Sequence, residues 1–184
     1  SDCPATARRG VSVQLKRPAT LGAVRGLPWG GLWPFFESWT QHVGRRNPDA
    51  RLVIFGADLD VETETEIRRH ATLIPFNPGA QSVNVERYRL YADWLSTHPD
   101  VDGALLTDVR DVVFQGDPFA APLEAELVLP LEDPLFTLGC ETNNAEWLRT
   151  LYGRERWAEL SALPIACSGT VLGTSAAISR YLDS

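Results

Sequence analysis

Residues 102–119 read DGALLTDVRDVVFQGDPF. The first part, Asp102 to Asp108, predicts a short strand, because Ala104, Leu105 and Leu106 form a continuous apolar run instead of an alternating one. A continuous run marks a strand covered on both faces, as in a parallel sheet. In open α/β sheets ligands bind beyond the carboxyl ends of the strands, and this strand ends on the carboxylate of Asp108. Asp111 follows three residues later. On an extended strand positions i and i+3 face opposite ways, but a turn brings them within about 7 Å. Two converging carboxylates with no His or Cys beside them suit a hard cation, Mg²⁺ or Mn²⁺. Such a cation acts on a diphosphate by neutralising charge on a leaving group. The plainer alternative is that Asp108 simply ends its strand and Asp111 pairs with Arg110 or with solvent. A bare D-x-x-D does not choose between the two.

Working outward, short apolar strands alternate with amphipathic helices. Val11–Leu15 and Thr20–Val24 are strand candidates, and the Gly/Pro passage from Gly26 to Gly31 breaks the pattern. A helix is expected from about Trp33 to Arg45, with Trp33, Phe36, Trp39 and Val43 on its buried face. Arg51–Gly56 reads as a buried strand. Asp60 and Glu62–Arg69 form a surface helix with acids first and arginines last, as the helix dipole favours. Thr72–Phe76 is a strand, and Val85–Thr97 a helix with Tyr88, Tyr91, Ala92 and Leu95 on one face. Beyond Phe119, strands are expected at Leu127–Leu129 and Ile165–Cys167. Helices are expected near Asn144–Leu151, Arg154–Leu160 and Ser175–Leu182. This order requires crossover connections, hence a single α/β domain over residues 1–184 with a mainly parallel sheet flanked by helices. Residues 1–18 are either an N-terminal extension or a first strand.

Composition narrows the classes. At 184 residues, 44% hydrophobic and 22% charged, the chain can bury a core without staples. The net charge of −7 disfavours nucleic acid as a partner. Cys3, Cys140 and Cys167 have no metal-ligand spacing, and His42, His70 and His98 have no second His or Cys one turn away. No apolar run is long enough to span a membrane, and no signal peptide is visible at the start, though an upstream anchor stays open. Location is not fixed by these features; the cytoplasm is favoured for the chain as given.

The segment from Asp108 to Phe119 resembles the DxD region of GT-A-type, nucleotide-sugar-dependent glycosyltransferases. The closest likeness is to a group of uncharacterised glycosyltransferases that carry a DVRD-VVFQ-DPF string. Arg87-Tyr88 with Leu95 resembles the Arg-aromatic helix before that motif. Asn144 to Trp147, Tyr152-Gly153, and Cys167-Ser168-Gly169-Thr170 with Gly173 resemble features after it. The resemblance covers roughly Val24 to Leu182. It implies a GT-A-like, Rossmann-like domain with Mn²⁺ or Mg²⁺ held by Asp108 and Asp111. The donor, a nucleotide-diphosphate sugar, would meet Arg87, Arg110, Ser168, Gly169 and Thr170. The acceptor, whether glycan, lipid, protein or small molecule, is not identified.

One departure matters. A strict D-x-D places an acid where this chain has Arg110. Either Asp111 supplies the second carboxylate, or the Arg110 fork binds phosphate directly and transfer is metal-independent. Inverting transfer needs a general base, for which Glu141 and Asp133 are the candidates; retaining transfer needs no dedicated base. Trp29, Trp33, Trp147 and Trp157 are either core residues or acceptor platforms. A Mg²⁺-dependent nucleotidyltransferase and a catalytically silent nucleotide-sugar-binding domain are the competing readings. GT-A-type folds usually continue past the small-residue turn with another strand and a further metal ligand. The resemblance therefore implies that these 184 residues are most of such a domain and not all of it.

Overall fold

The computed structural model describes residues 12–79 and 82–183. They form two compact units, one running to Val128 and resuming at Leu172, the other Leu129–Val171. The elements are β1 (Pro18–Arg25), α1 (Trp29–Trp39), β2 (Arg51–Ala57), α2 (Val61–His70), β3 (Thr72–Pro75), α3 (Val83–Thr97), β4 (Gly103–Asp108), β5 (Leu127–Val128), α4 (Thr142–Leu160), β6 (Thr170–Thr174) and α5 (Ser175–Leu182). The six strands make one sheet in the order β3-β2-β1-β4-β6-β5. β1 runs parallel to β2 and β4, β2 runs parallel to β3, and only the β5–β6 pairing is antiparallel among the pairings resolved. The expected mixed α/β fold with a mainly parallel sheet is therefore observed.

The strand order has a functional consequence. From β1 the chain steps outward to β2 and β3, and α3 then returns it to β4 on the other side of β1. The direction of winding reverses between β1 and β4, and in open sheets a ligand crevice opens beyond the strand ends at such a reversal.

Each face of the sheet is covered. On one, Leu52 and Ile54 of β2 and Leu105 of β4 pack with Phe36 and Trp39 of α1 and Ile67 of α2. The indole N–H of Trp39 donates to Thr20 Oγ1 at 3.0 Å, which satisfies two polar groups inside this layer. On the other face α3 covers the sheet, with the Phe55 and Tyr91 ring centroids 5.6 Å apart. α2 begins as its sequence predicts, with Asp60 Oδ1 accepting from the Thr63 N–H at 2.7 Å.

Three expectations are corrected. The first helix begins at Trp29, inside the Gly/Pro passage, because Pro28 is extended at its cap and Thr63 Oγ1 accepts the Trp29 N–H at 2.9 Å. Its buried face is then Leu32, Phe35, Phe36 and Trp39, continuing to Val43 in a π-helical turn at Thr40–Gly44, while Trp33 turns outward. At the start, Val13 forms only an isolated bridge to Leu123, and Val11 lies outside the described residues. Near the end, Ile165–Cys167 contributes one bridge, Ala166 with Leu131, and the strand is Thr170–Thr174 instead. That strand is defined by its partner β5, 42 or more residues upstream in the chain, and a five-residue window carries too little pattern to reveal it.

In the Leu129–Val171 unit, α4 is two helical runs broken at Gly153, whose φ of 81° belongs to the region glycine adopts without steric penalty. The sequence expectation of two helices, ending near Leu151 and resuming at Arg154, matches this break.

Candidate functional site

Side-chain alternation fixes where Asp108 points. Along β4, Leu105 belongs to the core on the α1 side, and Val109 just beyond the strand returns to that side. Ala104, Leu106 and Asp108 therefore face α3. There Asp108 Oδ1 accepts from Nη1 of Arg87, a residue only 6% exposed. Burial opposes the Arg87 charge, but the Tyr88 hydroxyl and the Asp108 carboxylate outweigh it, raising its pKa above the ordinary arginine value. Nη2 of Arg87 lies 3.4 Å from the Tyr88 hydroxyl, and its guanidinium carbon is 5.2 Å from the Tyr88 ring centre. One turn further along α3, the Tyr91 hydroxyl is buried with no hydrogen-bond partner among the described residues, and burial pushes its pKa up.

After Asp108 the chain is pinned at three points. Val109 is buried over Gly22, the Phe114 N–H donates to Ser38 Oγ at 3.1 Å, and Phe119 is buried in the α1-side core. The Asp-Pro-Phe string has a local role: Asp117 Oδ1 accepts the Phe119 N–H at 2.9 Å, closing the turn that delivers Phe119 inward. Between these anchors Arg110 and Asp111 project outward, their side chains 71% and 77% exposed, with Nε to Oδ1 at 3.6 Å.

A cleft of about 270 Å³ opens where β1 and β4 end. It is lined by Arg25, Asn84, Asp108, Arg110 and Asp111, among others. The turn thus brings Asp108, Arg110 and Asp111 to one opening, and Arg87 lies behind Asp108. Sequence reading missed Arg25 and Asn84. The available signal for Arg25 was its place at the end of β1, opposite the end of β4 in the register Ala23–Asp108, just before Gly26. Arg25 Nε donates to Asp58 Oδ2 at 2.7 Å.

Asp108 and Asp111 are the two carboxylates that line this cleft. Among the described residues no cluster of three or more His, Cys, Asp or Glu side chains is poised to hold a metal. Two carboxylates opening on a cleft are the usual protein contribution to Mg²⁺ or Mn²⁺, whose remaining ligands are phosphate oxygens and water.

The other candidates lie in the Leu129–Val171 unit. Ser168 and Gly169 lead into β6, of which Thr170 is the first residue. Glu141 caps α4, accepting the Asn144 N–H at 2.7 Å and the Asn143 N–H at 3.2 Å, and these bonds lower its pKa. Asp133 Oδ1 accepts the Leu135 N–H at 2.9 Å. Trp147 stands 63% exposed, while Trp157 has the Arg149 guanidinium 5.2 Å from its ring centre. In the larger unit Trp29 stacks on His70 with centroids 5.6 Å apart. No helix among the described residues is long and apolar enough to cross a membrane.

No protein-family model matches the sequence, and no curated protein is similar to it in sequence. Similarity appears at the level of structure. A mannosyltransferase from Pyrobaculum calidifontis, solved in complex with GDP-Man and Mn²⁺, superposes over 90% of this chain with a TM-score of 0.52 at 13% identity. The fold is GT-A-like. Core-mannan synthase A from Aspergillus fumigatus, in an Mn/GDP form, aligns over 99% of the chain with a TM-score of 0.46 at 10% identity. The chain spans 46% and 65% of those two proteins, less than two thirds of either. In this GT-A-like sheet the cleft at Asp108 occupies the crevice that the strand order creates.

Proposed function

We propose that this chain carries the donor site of a nucleotide-sugar glycosyltransferase, which moves a sugar from a nucleotide-diphosphate donor to an acceptor. The observation that carries the reading is the cleft at the β1–β4 reversal, where Asp108, Arg110 and Asp111 open together on a GT-A-like sheet.

Asp108 and Asp111 would hold Mn²⁺ or Mg²⁺, which supplies charge neutralisation for the departing diphosphate. Arg110, long and solvated at the rim, has the reach and the planar fork to bind a phosphate oxygen pair. Arg25 and Asn84 extend the polar lining on the β1 and α3 sides. Arg87 fixes the position of Asp108 and, as a buried cation, lowers the cost of gathering phosphate charge beside it. By the resemblance alone, Ser168, Gly169 and Thr170 are the candidates for contact with a donor sugar, and Glu141 and Asp133 the candidates for a base if transfer inverts configuration.

Arg110 at the second acid position favours one further reading, metal-independent transfer, in which the arginine takes over part of the cation's role. Donor turnover over a panel of nucleotide sugars, GDP-mannose first, tests the proposal. Release of free nucleoside diphosphate supports it, and release of pyrophosphate points to nucleotidyl transfer. No turnover of any donor, with an Asp108→Ala variant binding nucleotide as tightly as the parent, would establish a silent binding domain. Chelator-insensitive turnover would select the metal-independent course.

A further inference from the structure

We infer that the outer face of α1 carries a second binding site, for a neutral oligosaccharide, apart from the cleft at Asp108. The inference goes beyond the donor-site reading and does not depend on it. A cavity of about 220 Å³ lies on this face, lined by Trp33, Glu37, Thr40, Gln41, Arg45 and His70. It shares no residue with the lining of the cleft. Trp33, the apolar residue that α1 turns out of the core, is 39% exposed. Two rings brace its indole: the centroids of Trp29 and His70 each lie 5.7 Å from its own, His70 edge-on. A ring held in this way has little freedom left to lose on binding, which favours affinity.

The polar groups around that indole set the ligand class. Glu37 supplies an acceptor-only carboxylate, Arg45 a donor-only guanidinium, and Gln41 an amide that does both. Among the described residues Arg45 has no ion pair, and the Glu37 carboxylate is engaged only by Gln41 Nε2, at 3.4 Å. Charges of both signs in one cavity disfavour a strongly anionic or cationic ligand. Hydroxyl groups suit both, donating to the carboxylate and accepting from the guanidinium. A sugar ring combines such hydroxyls with a face of C–H bonds that packs on an indole. A second cavity of about 350 Å³, with Pro34, His42 and Val113 in its lining, shares Glu37 and Gln41 with the first. Two cavities that meet at one polar ridge fit a ligand of linked, similar units better than a single ring. Thr40, Gln41 and His42 all belong to the π-helical turn Thr40–Gly44, a geometry rare within helices and frequent at functional sites. A protein partner is the less favoured occupant. The lining around Trp33 is polar, whereas a stable protein contact covers roughly 800 Å² on each partner around an apolar centre.

The test is a titration of the whole chain with mannotriose, maltotriose, cellotriose and chitotriose, followed through the indole N–H resonance of Trp33 by NMR. At least one trisaccharide should shift that resonance saturably, with a Kd of about 1 mM or tighter, and its monosaccharide should bind about threefold or more weakly. Trp33→Ala, read by saturation transfer to the sugar protons, should weaken binding about tenfold or more. Trp33→Phe keeps an aromatic face and should lose less. Glu37→Gln and Arg45→Gln, both at exposed positions, should each weaken it about threefold or more. No saturable shift with any of the four sugars up to about 20 mM overturns the site, as does parent-like binding in Trp33→Ala. Should Trp33→Ala fail to fold, the two exposed variants decide, and parent-like affinity in both overturns the site. A Trp33 resonance that moves with protein concentration and not with sugar would overturn it in favour of a protein contact. Donor turnover in the cleft is a separate readout, so failure of one reading is distinguishable from failure of the other.

Discussion

Gly22 in the middle of β1 lies directly beneath Val109, the residue after the acidic strand end: a β-carbon on Gly22 would sit 2.4 Å from Val109 Cγ2. The missing side chain lets Val109 fold back over the sheet, and this contact aims the chain that carries Arg110 and Asp111. Gly22→Ala forces a methyl group into an occupied space, which costs about 1–3 kcal/mol. Thermal unfolding should show the loss. Nucleotide titration of the folded variant should show weaker binding, because the displaced Val109 moves the neighbouring Arg110 and Asp111. A variant destabilised but equal to the parent in nucleotide affinity would show that Val109 does not position the cleft.

Ser38 on α1 serves the same loop from its far end. Its hydroxyl donates to the Phe35 carbonyl at 3.0 Å and accepts the Phe114 N–H at 3.1 Å. Ser38→Ala leaves that buried N–H unsatisfied, a penalty of about 1–3 kcal/mol. Limited proteolysis should cut between Val109 and Phe119 faster in the variant. Equal cleavage rates would mean Phe114 holds through its ring alone.

Asp111 and Arg110 separate the two courses of transfer. With a cation bridging carboxylates and diphosphate, Asp111→Asn should weaken Mn²⁺ binding in the presence of nucleotide by about tenfold, the scale of one lost charged ligand interaction. Arg110→Gln should then act mainly on nucleotide affinity. Calorimetry with the pair of variants, in Mn²⁺ and in chelator, reads both; an Asp111→Asn protein indistinguishable from the parent removes Asp111 from the metal site.

Asp60 predicts an acid sensitivity of known sign. Its pKa is lowered, first by the Thr63 backbone N–H and then by the Thr63 hydroxyl. A carboxylate with a depressed folded pKa contributes stability that is present above its unfolded value of about 4 and is lost as pH falls through the folded value. The gap in melting temperature between the parent and Asp60→Ala should therefore be full at neutral pH and close as pH falls below about 4. A gap that persists unchanged into strong acid would show that the cap acts through something other than its charge.

Cys140 should be the more reactive of the two described thiols. It is exposed, its sulfur accepts the Thr137 N–H at 3.0 Å, and its pKa is lowered first by a hydrogen bond to Thr137, while Cys167 is partly buried. Alkylation followed by peptide mapping near pH 8 should modify Cys140 first. Preferential labelling of Cys167 would contradict this geometry.

The α/β class and the central strand ending at Asp108 were legible without coordinates, as was the surface helix beginning after Asp60. All three depend on short-range features: a continuous apolar run, a capping carboxylate, charges sorted along a helix. Helix periodicity also placed Tyr91 and Leu95 on the buried side of α3. It did not show whether the side chain of Arg87 is exposed or buried, and the structure buries it against Asp108. Nothing local distinguishes Arg87 from Arg89, which stays on the surface with Glu86 and Asp93. The difference is rotational position on α3 combined with the register of β4, two facts that meet only once the helix is laid on the sheet. For the same reason Arg25 and Asn84 reached the cleft unannounced, and Trp33 left the core when α1 began four residues earlier than expected. Local sequence therefore set the elements and the residue at the strand end. Only the strand order β3-β2-β1-β4, fixed by pairing between distant segments, decided which side chains share the crevice with it.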